Sequence, residues 1–448
     1  MQNLRIGVVG AGTGGLAAAA FLARDGHQVH LLERFAEARP IGAGLLLQPT
    51  GLACLARLGL DEGALALGAV IHDIQGRTVG GWPVLAIDYR RLRPHLFGLG
   101  IHRASLFALL HDEVARLAVP VATGVDAVRV ECHARGRTVV VDRDGRHHGP
   151  YDLVVDASGM RSALRAAVGG RIRDRPFAYG AIWAALPMTD AWKERATLAQ
   201  RYDGAPVMIG VLPIGRMPQD PTPRAAFFWS MRADRHGAWL KAGIDAWKAR
   251  VTSLWPAVAP MLEAVRTPGD LTFVSYSDVV VARPYCPDLG LAVIGDGAHG
   301  TSPQLGQGAN LALIDALTLA DALKSGATVE DALAAHHERR RRHVAFYQLA
   351  SRWLTPFFQS DSRAAGLLRD ATFGLASRVP FAEGQMLRTL AGIKTGVFGT
   401  LDPGDWSPRY GLKGDGHPNA QRDPLPPGGG GQGRGGLQNI SGRDSPRP

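Results

Sequence analysis

A glycine-rich turn near the start of the chain constrains its fold most strongly. The turn, Gly10-Ala11-Gly12-Thr13-Gly14-Gly15, follows a strand-like run at residues 4–10 and precedes an alanine-rich helical segment at residues 14–25. Residues 27–33 alternate like a second strand and end in Glu33. In a β-α-β unit such glycines permit a tight turn, close approach of the backbone to a pyrophosphate and close helix–strand packing, while the carboxylate binds ribose hydroxyls. The segment therefore predicts a dinucleotide-binding fold.

A second strand–turn–helix segment lies at residues 291–323. A strand-like run ends in Gly295-Asp296, a turn rich in glycine and proline follows, and an amphipathic helix begins at about Gly308. This order places the Asp296 carboxylate where it can bond a ribityl hydroxyl. It also directs the amides of residues 306–310 at the pyrimidine edge of a flavin, where negative charge accumulates on reduction. Taken alone, the segment is also compatible with an ordinary surface turn. A nicotinamide enzyme needs no second site of this kind, so the two segments together favour FAD.

Composition argues against several other classes. The chain has 448 residues, enough for about two to three domains. Its three cysteines lack CxxC spacing, which argues against a disulfide framework or a zinc site and fits a reducing compartment. The first residues enter a strand without a signal-peptide pattern, and no apolar stretch approaches the roughly 18 residues of a membrane span. We therefore expect a cytoplasmic protein with no bound metal and no stable membrane insertion.

The net charge of +10 comes from 50 Lys and Arg residues against 40 Asp and Glu residues. Part of it lies in the run at residues 336–343, on a helix-like segment. Such a run can serve an anionic partner or form a solvated helix face. No aromatic interleaving or nucleic-acid motif accompanies it, so the pattern favours the solvated face and no nucleic-acid partner.

Residues 177–281 have a different texture from the rest of the chain. Strand-like runs alternate with turns, six of the nine tryptophans lie here, and a tryptophan-bearing helix is predicted at about residues 237–251. This pattern is typical of an antiparallel sheet with an apolar, aromatic face. We expect the tryptophans to fill a core, because bulky rings pack cores more often than they contact ligands.

A third segment, DLVVDASGMRSALR at residues 152–165, predicts a strand that enters a turn and a helix. By itself it is one more strand–helix connection. In order and separation, however, the three segments resemble the three fingerprints of group A flavoprotein monooxygenases, the para-hydroxybenzoate hydroxylase-like aromatic hydroxylases. The resemblance spans about residues 4–400, and residues 337–362 resemble, less specifically, the ubiquinone-biosynthesis hydroxylase branch.

The resemblance implies a fold and a set of cofactor-binding residues. The fold is α/β, with a Rossmann-like FAD-binding domain of the GR2 type interleaved with an antiparallel-sheet substrate domain, plus C-terminal helices. The expected boundaries are residues 1–70, 99–175 and 280–345 for the FAD-binding domain, 71–98 and 176–279 for the substrate domain, 346–410 for the helical region and 411–448 for a disordered tail. The residues expected to bind FAD are Gly10, Gly12, Gly14, Gly15, Glu33, Arg34, Gly44, Arg103, Val125, Asp296, Gly306, Gly308, Ala309 and Asn310.

Two positions depart from the family pattern. The middle fingerprint normally carries Asp-Gly, whereas this chain has Ser158-Gly159. A charge is then missing from a place implicated in FAD and nicotinamide handling, which questions the pyridine-nucleotide step. Gly297 replaces a usual alanine, and we expect little effect from it.

The resemblance also implies a mechanism. NAD(P)H binds transiently and reduces FAD, O2 adds at the flavin C4a, and the hydroperoxide transfers an oxygen atom to a small phenolic or quinoid aromatic substrate. Pro303 is expected to shape the pocket at the reacting flavin edge. A phenolic substrate also benefits from a base, for which His72, Tyr179, Tyr202 and His299 are candidates, although each is more readily interpreted as structural. We expect a monomer or homodimer.

Three alternatives stay open. A flavin-dependent halogenase uses a similar scaffold, but the run Trp183-Ala184-Ala185-Leu186-Pro187 lacks the second tryptophan of the W-x-W-x-I-P motif. An alkene reductase of the geranylgeranyl type would act without O2. From another class, a non-catalytic flavin- or lipid-binding protein could use the basic helix as its contact.

Overall fold

The computed structural model describes residues 1, 3–38, 42–133 and 136–413. The predicted disordered tail lies outside the described residues from residue 414 onward. Among the residues described, no helix is both long enough and apolar enough to cross a bilayer.

The described residues form nineteen strands. In chain order they are β1 (Arg5–Val9), β2 (Gln28–Glu33), β3 (Gly44–Leu47), β4 (Ala69–Ile71), β5 (Asp73–Thr78), β6 (Pro83–Asp88), β7 (Gly98–His102), β8 (Val121–Thr123), β9 (Ala127–His133), β10 (Arg137–Asp142), β11 (His147–Tyr151), β12 (Leu153–Asp156), β13 (Ile172–Pro187), β14 (Thr197–Asp203), β15 (Val207–Met217), β16 (Asp220–Arg232), β17 (Thr272–Val281), β18 (Tyr285–Cys286) and β19 (Leu291–Val293).

The helices are longest in the last third of the chain. They are α1 (Thr13–Arg24), α2 (Pro49–Arg57), α3 (Asp61–Leu67), α4 (Arg103–Arg116), α5 (His236–Ala242), α6 (Ile244–Leu254), α7 (Ala259–Leu262), α8 (Asp296–His299), α9 (Gly308–Ser325), α10 (Val329–Phe358), α11 (Arg363–Ala376) and α12 (Pro380–Leu390).

Six strands form the sheet that carries the glycine-rich turn, in the order β18-β19-β12-β1-β2-β8. All pairs in it are parallel except the edge pair of β18 and β19. One face packs against α1, α4 and α9, and the other against the antiparallel strands β9–β11. Parallel strands all end at the same edge, so the residues that follow β1, β12 and β19 converge there.

The second large sheet has seven strands, in the order β17-β13-β16-β15-β14-β5-β6. The expected antiparallel pairing holds except between β14 and β5, which run parallel. Trp192, Trp229, Trp247 and Trp255 are buried between one face of this sheet and α6–α7, as expected for core tryptophans. The other face meets α12 and the end of α10. The mixed α/β fold class with C-terminal helices is confirmed.

The structure corrects two helix predictions. The single helix predicted at residues 237–251 is wrong, because α5 ends and α6 begins at Gly243, whose φ of +85° breaks the helix. The helix at Gly308 begins where predicted, but α9 is buried on nearly all sides, between α1, α2 and α10, and is not amphipathic in the sense expected.

Candidate cofactor site

The glycine-rich turn connects β1 to α1 through very close backbone contacts. Gly10 has a φ of +99°, and a Cβ atom there would lie 2.7 Å from the carbonyl oxygen of Ala157. A Cβ on Gly15 would lie 1.8 Å from the Gly10 carbonyl oxygen, so α1 can approach the turn only with glycine at that position. No atom lies within 4 Å of a Cβ on Gly12. Gly12 therefore leaves open the side from which a ligand can reach the backbone.

Glu33 ends β2 beside this turn and is buried. One of its carboxylate oxygens accepts the N–H of Ala11 at 2.7 Å, and the other accepts the N–H of Phe35 at 3.0 Å. Each carboxylate oxygen can accept a further hydrogen bond. The carboxylate is thus held rigidly and keeps acceptor capacity for ribose hydroxyls. The N–H of Val125 donates to the Glu33 carbonyl oxygen at 2.8 Å and fixes the adjacent loop.

A cavity of about 510 Å³ opens over the turn. Four arginines line it: Arg34, Arg103, Arg143 and Arg161. Arg143 pairs with Asp126 at 2.6 Å, and the other three form no ion pair with the residues described. Cationic side chains around an open glycine turn at a helix N-terminus suit a pyrophosphate. Neither Arg143 nor Arg161 was among the predicted cofactor-binding residues. No motif marks Arg143, whereas Arg161 lies in the middle fingerprint, which was the available signal for it.

The second predicted group lies around the N-terminus of α9. Asp296 is exposed at the start of α8, and its Oδ1 is 3.5 Å from the position of a Cβ on Gly308. The Asn310 side chain is fully buried and contacts protein: Oδ1 accepts the Gln48 N–H at 2.8 Å, and Nδ2 donates to the carbonyls of Leu46 at 3.1 Å and Gly306 at 3.0 Å. Asn310 therefore joins the start of α9 to the end of β3.

Buried polar atoms without partners cluster near this junction. Within the described ranges, Gln48 Nε2, Thr50 Oγ1 and Gln307 Oε1 make no hydrogen bond. The Tyr89 hydroxyl donates to Gln48 Oε1 at 2.7 Å, which orients that amide. Buried polar groups are nearly always paired in folded proteins. One amide donor, one amide acceptor and a hydroxyl that can do either lie unpaired beside a helix N-terminus, and they fit the pyrimidine edge of a flavin, which offers both kinds of partner.

The structure brings some predicted residues together and separates others. Six line the 510 Å³ cavity: Gly10, Gly12, Glu33, Arg34, Arg103 and Val125. Five form the group at α9: Asp296, Gly306, Gly308, Ala309 and Asn310. The two groups adjoin at Ala312, whose Cβ lies 3.2 Å from a Cβ on Gly14 and 3.3 Å from one on Gly295.

Two predicted glycines have mainly packing roles. Gly15 serves the turn. Gly44 lies in β3, which forms a small three-stranded sheet in the order β3-β7-β4. A Cβ on Gly44 would lie 2.6 Å from Ile214 Cγ2 of β15, so Gly44 permits the close approach of this small sheet to the seven-stranded one. Pro303 begins a short turn after Ser302. The Ser302 N–H donates to Ser351 Oγ at 3.0 Å, so α10 positions this turn.

The middle fingerprint contains a carboxylate that the sequence comparison overlooked. Asp156 ends β12 and is fully buried, and Ser158 donates to its Oδ1 from both its hydroxyl, at 2.5 Å, and its N–H, at 3.0 Å. The Ser162 hydroxyl donates to Oδ2. Burial raises the pKa of Asp156, and the hydrogen bonds from Ser158 and Ser162 oppose that effect. A buried carboxyl group therefore lies two residues before the position where the family aspartate is missing.

The candidate bases occupy structural positions. The Tyr179 hydroxyl donates to Asp361 at 2.7 Å, and the Tyr202 hydroxyl donates to Gln200 at 2.5 Å. Burial raises the pKa of both tyrosines, in Tyr179 with the added effect of Asp361. Burial lowers the pKa of His72. His299 is buried, and its Nε2 lies 2.5 Å from Asp315 Oδ2, away from the cavity over the glycine turn.

The basic run at residues 336–343 is solvent-exposed on one side of its helix and buried on the other, so the predicted solvated face is only partly correct. His336, Arg340 and His343 are buried at helical spacing on one side of α10. Arg340 donates to Asp315 at 2.7 Å, and Asp315 also accepts the Gly295 N–H at 2.9 Å. Although burial acts to raise it, the pKa of Asp315 is lowered by the charges of His299 and Arg340. The i, i+4, i+7 spacing of these three residues was the available signal for a buried network.

Comparison with known proteins identifies the family of the chain. A family model described as an FAD binding domain matches residues 3–348. The curated 3-amino-4-hydroxybenzoate 2-monooxygenase of Streptomyces cremeus is 27% identical over 391 residues, which cover 80% of this chain and 89% of that protein. Two solved structures share the fold. HpxO of Klebsiella pneumoniae, complexed with FAD and uric acid, has a TM-score of 0.72 at 21% identity, covering 88% of this chain and 98% of that chain.

The second is a tetrameric form of 2-methyl-3-hydroxypyridine-5-carboxylic acid oxygenase, with a TM-score of 0.67 at 22% identity, covering 84% of this chain and 98% of that chain. These matches do not favour the halogenase, alkene-reductase or non-catalytic alternatives. Since the family model covers most of its length, the chain belongs to the FAD-binding domain family of group A flavoprotein monooxygenases and is an FAD-dependent monooxygenase.

Proposed function

We propose that the protein hydroxylates a small phenolic or quinoid aromatic compound, with NAD(P)H as electron donor and O2 as oxidant. The observation that carries the proposal is the division of the predicted residues into two adjoining groups, a cationic cavity over the glycine turn and a polar junction at α9. Relatives named for 3-amino-4-hydroxybenzoate and urate support an aromatic or heteroaromatic substrate.

In this proposal the chain's own residues bind and orient the cofactor. Glu33 accepts ribose hydroxyls, and Arg34, Arg103 and Arg161 neutralise the pyrophosphate over Gly12. Asp296 bonds the ribityl chain, and the N-terminus of α9 faces the pyrimidine edge. When bound, FAD supplies the redox chemistry that takes electrons from NAD(P)H and activates O2.

The substrate is proposed to bind against the second sheet, where Trp183 and Tyr276 face each other. The indole N–H of Trp183 donates to the Tyr276 hydroxyl oxygen at 2.7 Å. Burial raises the pKa of Tyr276 to about 12, opposed by the Trp183 hydrogen bond and by the charge of Arg103. Tyr276 therefore stays protonated at neutral pH. No acceptor for its proton is present among the residues described, so the hydroxyl can donate to a phenolic oxygen.

We propose a cytoplasmic monomer or homodimer. The free thiols of Cys54, Cys132 and Cys286 fit a reducing compartment. One solved relative is described as a tetrameric form, which makes light scattering on the purified protein the measurement that decides the state.

The experiment for the proposed reaction measures NAD(P)H oxidation by the FAD-loaded protein against a panel of phenols and quinones, in air and under nitrogen. We expect oxidation in air that an aromatic compound stimulates and that nitrogen abolishes. Equal turnover under nitrogen would favour a reductase and contradict the proposal. Y276F should raise KM for the stimulating phenol by about ten-fold, because one hydrogen bond to substrate is lost, whereas Y285F at the remote β18 should not.

A further inference from the structure

A second cavity, of about 450 Å³, lies beside α10. We name it the α10 cavity, because residues 336–348 of α10 form one wall, and the end of β17, β19 and α8 form the others. It shares no lining residue with the cavity over the glycine turn. The flavin site therefore does not account for it.

The walls of the α10 cavity are mainly apolar, and basic residues stand at its mouth. Buried polar residues also line it, namely His299, Asp315, His336, Arg340 and Gln348. Apolar side chains line the interior: Val280, Val281, Pro284, Val293, Ala298 and Val344. His337, Arg341 and Arg342 stand at the α10 side, where Arg341 and Arg342 are exposed. Arg341 pairs with Glu338 at 2.6 Å, and the structure gives Arg342 no ion-pair partner in the ranges it describes. A mainly apolar interior with a cationic mouth matches an organic anion better than a bare phosphate or a neutral lipid.

The only acidic lining residue in the described chain is already neutralised. Asp315 accepts hydrogen bonds from Gly295, His299 and Arg340, so it does not oppose an incoming anion. Arg340 also donates to the Leu311 carbonyl oxygen, so its guanidinium group is already engaged by protein acceptors. The positive charge without an ion-pair partner in the described part of the cavity is therefore that of Arg342, and Arg341 beside it shares its charge with the exposed Glu338.

His299 gives an independent indication of a ligand. It lines the cavity, its side chain is 4% exposed, and Nε2 bonds Asp315. Its Nδ1 is buried and has no partner among the described residues. Leaving a buried polar atom unpaired destabilises a folded protein. A ligand that carries a polar atom into the interior would remove that destabilisation.

We propose that the α10 cavity binds a small organic acid, with its carboxylate at Arg341 and Arg342, its mainly apolar body between β17, α8 and α10, and a polar atom of that body at His299 Nδ1. Octanoate is a suitable probe of the carboxylate and the apolar body, and it lacks the aromatic ring expected of the substrate. Octan-1-ol has the same chain without the charge. 8-Hydroxyoctanoate adds a hydroxyl that can pair with His299 Nδ1 and should bind more tightly than octanoate.

The test is calorimetric titration of the FAD-loaded protein with octanoate at neutral pH. We expect saturable binding that weakens by about ten-fold or more in R341Q/R342Q, since two charge-assisted contacts are lost. The matched control is R339Q/R378Q, which removes two exposed arginines outside the cavity and should bind octanoate like the parent protein. A345W, which fills the mouth from an exposed position on α10, should abolish binding.

Three outcomes would overturn the proposal. The first is no saturable heat with octanoate at several millimolar. The second is equal binding by the parent protein and R341Q/R342Q. The third is octan-1-ol binding as tightly as octanoate, which would remove the role of charge. Because Arg341 and Arg342 are exposed, their double variant tests the site even if A345W does not fold.

Discussion

Ser158 donates two hydrogen bonds, from its hydroxyl and its backbone N–H, to one oxygen of the buried Asp156 carboxylate. Where the family usually has an aspartate, position 158 here carries a serine, and this serine hydrogen-bonds a carboxyl group two residues earlier. Position 158 lines the cavity over the glycine turn, whereas Asp156 lies behind it. The departure seen in the sequence therefore leaves a carboxyl group in the region, but that group is buried and does not line the cavity.

Restoring the family aspartate should harm this chain. S158D would place a second carboxylate against Asp156, and burial already raises the pKa of Asp156. We therefore expect S158D to lower the free energy of unfolding by about 2 kcal/mol. D156N/S158D should recover at least about 1 kcal/mol of that loss, because the repulsion is gone. Urea unfolding of the parent, both single variants and the double variant measures the coupling. Additive losses would contradict the interaction described.

Alanine substitutions at Gly15 and Gly12 should have different effects, the first mainly on stability and the second mainly on FAD affinity. G15A should lower the free energy of unfolding by about 3 kcal/mol, since its Cβ would overlap the Gly10 carbonyl oxygen. G12A should cost only about 1 kcal/mol as a helix N-cap change, but should weaken FAD binding by about ten-fold or more, because the methyl group occupies the open side of the turn. Urea unfolding of the apoprotein and FAD titration separate the effects. Unchanged FAD affinity in G12A would contradict the placement of the pyrophosphate.

The Asn310 side chain should be needed for the junction between α9 and β3. N310A removes partners from the Gln48 N–H and from the carbonyls of Leu46 and Gly306, all near the core, and should lower the free energy of unfolding by about 3 kcal/mol. N310D keeps the acceptor for Gln48 and loses the two donated bonds. A stability equal to the parent in both variants would show that the junction does not depend on this amide.

Stability should fall with pH below neutrality in part because of His336. Burial lowers the pKa of His336 to about 4, so the folded state keeps this ring neutral while the unfolded chain takes up a proton near pH 6.5. The folded pKa is depressed, so its contribution is present above about 6.5 and is lost as pH falls from there to about 4, by about 1.4 kcal/mol per unit. H336Q should show a shallower slope between pH 6.5 and 5 in urea unfolding. The exposed H147Q is the control and should keep the parent slope.

The sequence was most informative where a motif ties residue types to backbone geometry. The turn at Gly10–Gly15, the strand ending in Glu33 and the start of α9 at Gly308 were all predicted, because tight turns and strand ends leave local signals. The partners of Asn310, Asp156 and Asp315 were not. Each bonds at least one residue from a distant segment or depends on burial that no local pattern encodes.

The same limit explains the misjudged basic run. The charge alone suggested a solvent-exposed face. Burial of every third or fourth residue instead places Arg340 against Asp315, His343 against Gly392 and His336 against Thr318, partners that come from other segments. The domain boundaries and the roles of the cofactor-binding residues stay predictions. The variants above address the residues that carry them.

The most direct test is to supply isotopically labelled O2 to the FAD-loaded protein with NAD(P)H and the aromatic compound that best stimulates its oxidation. Mass spectrometry of the product then reports the origin of the added atom. We predict a protein that retains FAD and a product that gains one oxygen atom carrying the label. A colourless protein that takes up no flavin on reconstitution, or a product without the label, would contradict the assignment of aromatic hydroxylation to this site.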